Sequence, residues 1–251
     1  MTEQPLISIV TVVFNGIKYL QQTIDSVANQ TYPNIEYIII DGGSTDGTVD
    51  LIKANEANVD HWISEPDRGL YDAMNKGISK AKGELIGMIN SDDWYEVDAV
   101  ETTVNKYLKN PDKRIFHSDR YDVYPDGEKK VFAFNPSVIK FKYFAMTYNH
   151  PSMFVSPKVY KEYNYNTSLK VYSDYQFTLT SYLKNKDQFT YINKPTVNFR
   201  LGGVSGQIPL KDVLKESYIA RRNSGMNLFT STIAIGCKLG LEIIKFVLNR
   251  K

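Results

Sequence analysis

An alternation of buried-strand and helix patterns in the first ninety residues constrains the fold more than any other feature. The stretch Leu6–Phe14 is apolar almost throughout and rich in β-branched residues, as is typical of a strand buried on both faces of a parallel sheet. The predicted strands are 6–14, 35–40, 61–64 and 85–89, and the predicted helices are 19–29, 48–57 and 70–81. Strands and helices in this order predict βαβ units around a parallel sheet.

Acidic residues follow two of these predicted strands. Asp41 comes directly after the second strand, and Asp92 with Asp93 comes shortly after the fourth. Right-handed crossovers place the carboxyl ends of parallel strands at one edge of the sheet, where open α/β sheets bind ligands, so we expect the three carboxylates to converge there. Carboxylates suit Mg²⁺ or Mn²⁺, which prefer oxygen ligands. Two structural alternatives stay open: Asp41 as a turn former, and the Asp92–Asp93 pair as a helix cap.

Residues 111–210 carry a mixed pattern that predicts a smaller second region. Pro125-Asp126-Gly127 separates two strand-like segments, which is typical of a hairpin. The predicted elements are hairpin strands over 114–124 and 129–134, a strand over 150–155, a helix over 173–186, extended segments over 189–200 broken by Pro195, and a helix over 210–223. We therefore divide the chain into a first half (1–110), a second half of the same domain (111–210) and a helical tail (211–251).

The composition argues against several classes of function. The chain of 251 residues has a formal net charge of +2, which gives no electrostatic case for nucleic-acid binding. Its single cysteine, Cys237, excludes a disulfide framework and a cysteine-based metal site. The first apolar stretch is not preceded by the basic run of a secretory signal, and no window of 18 uncharged apolar residues predicts a membrane span. A cytoplasmic location is the expectation.

Four short motifs, in a fixed order, carry a family resemblance. They are Ser8–Asn15 followed by Ser26–Thr31, then Ile40–Thr48, Glu65–Gly77 and Gly83–Asp93. The second motif, IDGGSTDGT, closely matches a D-x-S-x-D-G-T element. Together the motifs resemble the opening of family 2 glycosyltransferases, and the third resembles a branch found in bacterial O-antigen and exopolysaccharide clusters. Weaker similarity continues to about residue 205.

The resemblance implies a GT-A fold, in which a mostly parallel central sheet is flanked by helices, with a smaller acceptor-side region and C-terminal helices. It also implies a nucleoside-diphosphate sugar as donor and an inverting mechanism. Asp41 would contact the nucleobase, usually uracil, and the backbone around Val12 and Phe14 would line the same pocket.

The resemblance further implies a divalent metal, Mn²⁺ or Mg²⁺, at the end of the fourth strand. Asp92 and Asp93 match the pair that contacts ribose and metal in the family. Many members have Asp where this chain has Asn90, whose carbonyl oxygen can still coordinate but brings no charge. A cation held there would neutralise the diphosphate leaving group.

The acceptor side of the resemblance lies in the second half of the chain. Inversion by direct displacement needs a general base for the proton of the acceptor hydroxyl. Val171–Phe177 stands where the family has an E-D element at a helix start, with Asp174 matching the Asp and Ser173 replacing the Glu. His150 resembles a histidine that this branch places near the acceptor, and Trp94 is a candidate for packing on the acceptor sugar. Helix capping by Asp174 and structural roles for the other two stay open.

Two arginines are candidates for binding the diphosphate, because a guanidinium group matches phosphate oxygens in a bidentate geometry. Arg68 follows the third strand at the ligand edge. Arg200 begins a segment that, with Ser205, is similar to the R-x-x-x-x-S loop that some relatives close over the diphosphate. An exposed surface position is the alternative for both arginines.

The tail contains a predicted amphipathic helix over 228–248. Lys238, Glu242 and Lys245 share one helical face, and apolar residues occupy the others. Such a helix would lie in a membrane interface or on a partner, and packing on the core of the protein is the alternative.

The sequence therefore predicts an inverting glycosyltransferase that moves a sugar, expected from a UDP-sugar, to a hydroxyl of a glycan or lipid-linked saccharide in surface polysaccharide biosynthesis. It would act in the cytoplasm or at the inner face of the cytoplasmic membrane. A nucleotidyltransferase that forms sugar nucleotides is an alternative, although residues 15–18 lack its Gly-rich basic loop. A non-catalytic sugar-nucleotide-binding subunit is another, for which Asn90 leaves room.

Overall fold

The computed structural model describes residues 4–202 and 208–248 as an α/β protein. Its strands are β1 (Ile7–Val13), β2 (Ile35–Asp41), β3 (His61–Ser64), β4 (Leu85–Asn90), β5 (Trp94–Tyr95), β6 (Ile115–Val123), β7 (Lys129–Phe132), β8 (Phe154–Val155) and β9 (Phe189–Arg200). Its α-helices are α1 (Leu20–Ala28), α2 (Thr48–Ala54), α3 (Leu70–Lys80), α4 (Ala99–Leu108), α5 (Pro157–Glu162), α6 (Ser173–Lys184), α7 (Leu210–Asn223) and α8 (Leu228–Leu248).

The nine strands of the described residues form one sheet in the order β3-β2-β1-β4-β8-β6-β9-β5, and β7 pairs with β6. The neighbours among β1 to β4 run parallel, and so do β6 and β9 over nine residue pairs. The short β8 joins the two parallel parts by antiparallel pairing with β4 and β6, over two residue pairs each. The predicted mostly parallel sheet is thus confirmed, and it continues from the first half of the chain into the second.

The two faces of the sheet carry separate apolar clusters. All seven residues of β1 are buried, and alternate side chains point to opposite faces. Val10 belongs to the cluster that includes Tyr71 of α3, whereas Ile9 belongs to the cluster that includes Ile24 of α1. At Gly77 a β-carbon would lie 2.3 Å from Val10 Cγ1, so glycine there lets α3 pack closely on the sheet.

Two sequence predictions in the second half need correction. The predicted strand over 150–155 is wrong for its first part, because His150–Ser152 form a 3₁₀ turn and only Phe154–Val155 pair as a strand. Ser152 Oγ accepts the backbone N–H of Ser118 and donates to its carbonyl, which satisfies groups that a longer β8 would have paired. Conversely, residues 189–200 form one strand, and Pro195 is accommodated at a register shift against β6.

Several elements had no clear signal in the sequence. These are β5, α4, α5 and a π-helical turn at Lys140–Phe144. Helix α2 ends at Ala54, three residues before its predicted end, and a 3₁₀ turn follows at Glu56–Asn58. The helices predicted over 173–186 and 210–223 are present as α6 and α7.

Candidate active site

The carboxyl ends of β1, β2 and β4 meet at one edge of the sheet. In the parallel register Val13 lies opposite Asp41 on one side, and Val12 lies opposite Asn90 on the other. Asp41 and Asn90 therefore flank β1, about two strand spacings or ~10 Å apart. The loops that follow these strands form the candidate donor side of the site.

Asp41 is fully buried and holds the loop that follows β2. Its Oδ2 accepts the backbone N–H groups of Gly43 and Ser44 at 3.1 and 3.0 Å and the hydroxyl of Ser64 at 2.6 Å, while Ser44 Oγ donates to Oδ1. Four donors match the acceptor capacity of a carboxylate. The turn-forming alternative is thus what the geometry shows, and contact of Asp41 with a nucleobase stays a prediction.

An exposed aromatic ring lies beside this loop. Phe14 is 65% exposed, whereas Val12 is buried and can line a pocket only through its backbone. A β-carbon on Gly42 would lie 2.4 Å from Asp67 Oδ2 and 3.4 Å from Phe14 Cδ2, so the ring and the carboxylate share this corner. Arg68 follows directly; its side chain is 78% exposed and its Nη2 donates to Asp72 at 2.7 Å.

Asp92 and Asp93 do not cap a helix, because they lead into β5 and not into α4. Asp93 is 1% exposed. Its Oδ1 accepts the backbone N–H of Arg200 at 2.9 Å and its Oδ2 accepts the amide of Asn90 at 3.3 Å. Asp92 is the more open of the pair. Asp92 and Asp93 therefore lie where β4 and β9 end. The hydrogen bond from Arg200 to Asp93 joins residues that are 107 positions apart in the sequence.

Arg200 is fixed beside this pair. Its guanidinium lies 4.1 Å from the ring centroid of Tyr19 and 5.0 Å from that of Trp94. Nε donates to the Asp92 carbonyl at 3.2 Å and Nη2 to Gln22 Oε1 at 2.8 Å. Trp94 thus packs on Arg200, whose contact with the diphosphate stays a prediction. Ser205, predicted to act with Arg200, lies outside the described residues.

The electrostatics of the pair favour a cation. Burial, followed by the like charge of Asp92, raises the pKa of Asp93, and burial also raises the pKa of Asp92 although Arg200 opposes this shift. Two carboxylates in one small region disfavour double ionisation unless positive charge is supplied.

The donor atoms around the pair fit Mg²⁺ or Mn²⁺. Asn90 Oδ1 is buried and has no hydrogen-bond partner among the described residues. The described part of the chain contains no group of three or more His, Cys, Asp or Glu side chains that could hold a metal without help. These cations commonly use one or two carboxylates and take further oxygens from phosphate and water. Asp92, with the Asn90 oxygen nearby, suits that mode, and direct ligation by the bonded Asp93 stays a prediction.

A cavity of about 200 Å³ joins the two halves of the chain and reaches this edge of the sheet at Asn90, whose amide donates to Asp93; Asp92 and Asp93 are not among its lining residues. Its lining includes Asn90 from the end of β4, Asp174 and His150 from the second half, and Arg120 from β6. The structure therefore brings the predicted base and the predicted acceptor histidine together with the end of β4. Trp94 is not among the residues that line this cavity.

Asp174 stands in the first turn of α6 and is held by a tyrosine that the sequence did not indicate. Tyr71 Oη donates to Asp174 Oδ1 at 3.1 Å, and the same oxygen accepts the N–H of Tyr175 at 2.8 Å. Asp174 Oδ2 makes no hydrogen bond within the described chain. Burial and the charge of Asp174 raise the pKa of Tyr71 well above its usual value, so Tyr71 stays a donor. One carboxylate oxygen is thus fixed and the other is available to a ligand.

His150 belongs to a buried tyrosine network. Its Nε2 lies 2.6 Å from Tyr165 Oη, and the ring of Tyr165 stacks on that of Tyr71 with centroids 5.7 Å apart. Burial lowers the pKa of His150, and Asp174 partly opposes this shift. A neutral imidazole paired with a tyrosine suits a hydrogen-bonding role in the cavity wall.

Arg120 is a second residue of the cavity that sequence reasoning missed. Its guanidinium carbon lies 4.5 Å from the ring centroid of Phe132 and 4.2 Å from that of Phe199. Its Nε donates to Asp122 at 2.7 Å. The available signal was an arginine and an aspartate two residues apart in a predicted strand, which places both on one face of the sheet.

A mostly parallel sheet with a carboxylate pair at its carboxyl edge and a further carboxylate in the adjoining cavity agrees with the GT-A arrangement that the family resemblance implied. The family model "Glycosyl transferase family 2" matches residues 8–188. The chain belongs to glycosyl transferase family 2, as its motifs predicted.

Similar proteins include a chondroitin synthase and a putative glycosyltransferase. Over 228 residues the chain is 31% identical to a chondroitin synthase of Pasteurella multocida, a match that covers 89% of this chain and 23% of that protein. It is 40% identical over 101 residues to a putative glycosyltransferase, EpsH, of Bacillus subtilis, covering 39% of this chain and 29% of the relative. The chain thus spans only about a quarter of the length of the synthase.

Solved structures share the fold. S. aureus TarS 1–349 in complex with UDP-GlcNAc superposes with a TM-score of 0.70 at 16% identity, covering 87% of this chain and 66% of TarS 1–349. The mannosyltransferase PcManGT of Pyrobaculum calidifontis, in complex with GDP-Man and Mn²⁺, gives 0.58 at 15% identity, covering 88% of this chain and 61% of that one. At such identities the likeness shows the fold, and it confirms the predicted GT-A architecture.

Proposed function

We propose that the chain is an inverting glycosyltransferase that transfers a sugar from a nucleoside-diphosphate sugar, a UDP-sugar in the first instance, to a saccharide hydroxyl. The single observation that supports this most is the shared cavity: Asp174 lines it together with Asn90, whose side-chain amide donates to Asp93 Oδ2. Donor and acceptor groups would meet there. The bound sugar nucleotides of TarS and PcManGT are consistent with this donor class.

On the donor side, different residues at the strand ends would contact the base, the metal and the phosphates of the nucleotide. The exposed ring of Phe14, next to Asp67, offers a planar apolar surface to the base. Asp92 would hold Mn²⁺ or Mg²⁺, which neutralises charge on the leaving diphosphate. Arg200 and the exposed Arg68 would contact phosphate oxygens.

On the acceptor side, Asp174 acts as general base. Its Oδ1 is held by Tyr71, which leaves Oδ2 to accept the proton of the attacking hydroxyl. His150 would accept or donate a hydrogen bond to the acceptor ring. This division assigns one carboxylate to proton transfer and the pair at the end of β4 to charge neutralisation.

A thermal-shift screen with UDP, GDP and dTDP, each with Mn²⁺ or with EDTA, tests the donor class. We expect one nucleoside diphosphate, UDP by preference, to raise the melting temperature in Mn²⁺ and much less in EDTA, since a ligand that binds only the folded state stabilises it. Equal melting temperatures with and without every nucleotide would count against a donor site of any kind.

Helix α8 supports contact with a membrane surface, where a lipid-linked acceptor would be found. In the described chain no helix combines the length and apolar character needed to cross a bilayer. The inner face of α8 packs on α7 and on the π-helical turn, with Lys238 buried at 5.5 Å from the ring centroid of Tyr172. Its outer face exposes large apolar side chains, namely Leu228, Phe229, Ile233, Leu239, Ile243 and Ile244.

Replacing two side chains of that outer face tests the membrane contact. In the double variant Phe229→Ser with Ile243→Ser we expect binding to vesicles of phosphatidylglycerol and phosphatidylethanolamine to fall at least about tenfold, because each buried apolar side chain contributes roughly 1.5–3 kcal/mol. Phe229 is 73% exposed, so folding should be little affected. Leu108→Ser, at an exposed position in the last turn of α4, is the control. Vesicle binding by the double variant equal to wild type would refute the contact.

A further inference from the structure

Arg120 occupies an unusual position in the cavity wall. Its side chain is 18% exposed and is enclosed by the rings of Phe132 and Phe199. The cavity that it lines is otherwise largely aromatic, apolar or amide in character, and Asp174 is the acidic residue in that lining. A guanidinium in such surroundings is shielded from water, so its interaction with an anion is stronger than at an open surface.

Within the described residues, only one edge of this guanidinium donates a hydrogen bond. Nε donates to Asp122 at 2.7 Å, whereas Nη1 and Nη2 donate to no acceptor within the described residues. Asp122 holds the group at its Nε edge, which fixes the plane of the guanidinium. The outer pair of nitrogens is therefore preorganised as a fork that matches two oxygens of a carboxylate or phosphate.

We propose that Arg120 recognises an acidic group, a carboxylate or a phosphate, on the acceptor saccharide. This inference rests on the proposed function and names the class of acceptor for the same cavity. The fork supplies the anion contact, and the rings of Tyr71 and Tyr148 supply apolar surface for a sugar ring. Asp174 in the same lining would receive the hydroxyl of the same acceptor.

The acceptor, and not the donor, is the partner that the position favours. The diphosphate already has Arg200, which contacts the Asp92 carbonyl directly, and the exposed Arg68. Arg120 instead shares its cavity with Asp174, the one carboxylate assigned to the acceptor hydroxyl.

Matched phenyl glycosides test this assignment on the full chain with UDP and Mn²⁺ present. Ligand-observed NMR titrations compare phenyl β-D-glucoside, phenyl β-D-glucuronide and phenyl β-D-glucoside 6-phosphate, which share a ring and differ in the group at C6. We expect at least one acidic probe to bind about tenfold or more tightly than the glucoside, as a charge-assisted bidentate contact predicts. The stronger acidic probe identifies whether carboxylate or phosphate is preferred.

Three variants separate recognition from packing. Arg120→Met should remove the preference for the acidic probe and leave binding of the glucoside and of UDP within about twofold. Arg120→Lys keeps the charge without the fork and should retain part of the preference, which guards against a folding defect in the methionine variant. Lys130→Met, an exposed cation on β7, should retain the full preference.

Three outcomes would overturn the inference. They are equal binding of neutral and acidic probes to the wild type, no binding of either acidic probe, and a loss of UDP affinity in Arg120→Met as large as the loss for the acidic probe. UDP binding is measured in the same samples, so absence of nucleotide binding by the wild type, which would refute the proposed function, is distinguished from failure at Arg120 alone.

Discussion

Replacing Asp174 by Asn is expected to lower the turnover number for sugar transfer by about 10²–10⁴-fold while the affinity for the donor nucleotide changes by less than about twofold. The amide can still accept the hydrogen bond from Tyr71 Oη, so the first turn of α6 and the cavity wall keep their shape. It cannot accept the proton of the acceptor hydroxyl. The turnover number is measured with sugar nucleotides of the nucleoside diphosphate that the screen identifies, and the affinity for that nucleoside diphosphate is measured by calorimetry.

Asp187→Asn is the matched control. Asp187 lies in the exposed turn that follows α6, so this substitution removes the same charge outside the cavity. Its turnover should equal that of the wild type. If Asp174→Asn retains normal turnover, the base has been assigned to the wrong residue. If the variant loses nucleotide affinity instead, Asp174 acts on the donor.

Replacing Asp92 by Asn is expected to abolish the dependence of nucleotide binding on the metal. We expect wild-type affinity for the nucleoside diphosphate to rise in Mn²⁺ relative to EDTA by a factor on the order of 5–150, the usual range for two coupled ligands. Asp92 is the more open of the two carboxylates, whereas both oxygens of Asp93 accept hydrogen bonds from the protein. In Asp92→Asn the affinities in Mn²⁺ and EDTA should be nearly equal.

The comparison has an internal check, because removal of the metal and removal of the carboxylate act on one interaction and should not add. Asp50→Asn, at an exposed position of α2, should keep the full metal dependence. If nucleotide affinity in Asp92→Asn still rises in Mn²⁺ as it does in the wild type, the metal is held by other residues. If wild-type affinity does not depend on Mn²⁺, nucleotide binding does not need the metal.

The first half of the fold is predictable from the sequence because its information is local. Each of β1, β2 and β4 is a short, mostly apolar segment, as is typical of strands that are buried on both faces of a parallel sheet. The predicted helix over 70–81 differs from α3 by one residue at its end. The prediction of a strand over 150–155 was wrong in its first part for a nonlocal reason. The hydroxyl of Ser152 makes the hydrogen bonds to the backbone N–H and carbonyl of Ser118 that a strand would otherwise make.

The site was only partly predictable because its contacts join distant segments. Asp41 was ambiguous between turn and ligand, and the hydroxyl of Ser64 that completes its hydrogen bonds is 23 residues away. Tyr71 reaches Asp174 across 103 residues of chain, so no spacing rule links them. The spacing of Arg120 and Asp122 was visible in the sequence. Phe132 and Phe199, whose rings enclose the guanidinium, belong to other strands, and only the assembled sheet brings them to Arg120.

A crystal structure of the full chain with UDP and Mn²⁺ tests the central claim most directly, because anomalous scattering locates the metal independently of the ligand. We predict the Mn²⁺ at bonding distance from an Asp92 oxygen, the uracil beside Phe14, and the outer phosphate facing the cavity that Asp174 lines. Mn²⁺ and nucleotide bound at the opposite edge of the sheet, for example in the depression lined by Tyr32 and Asp60, would contradict it.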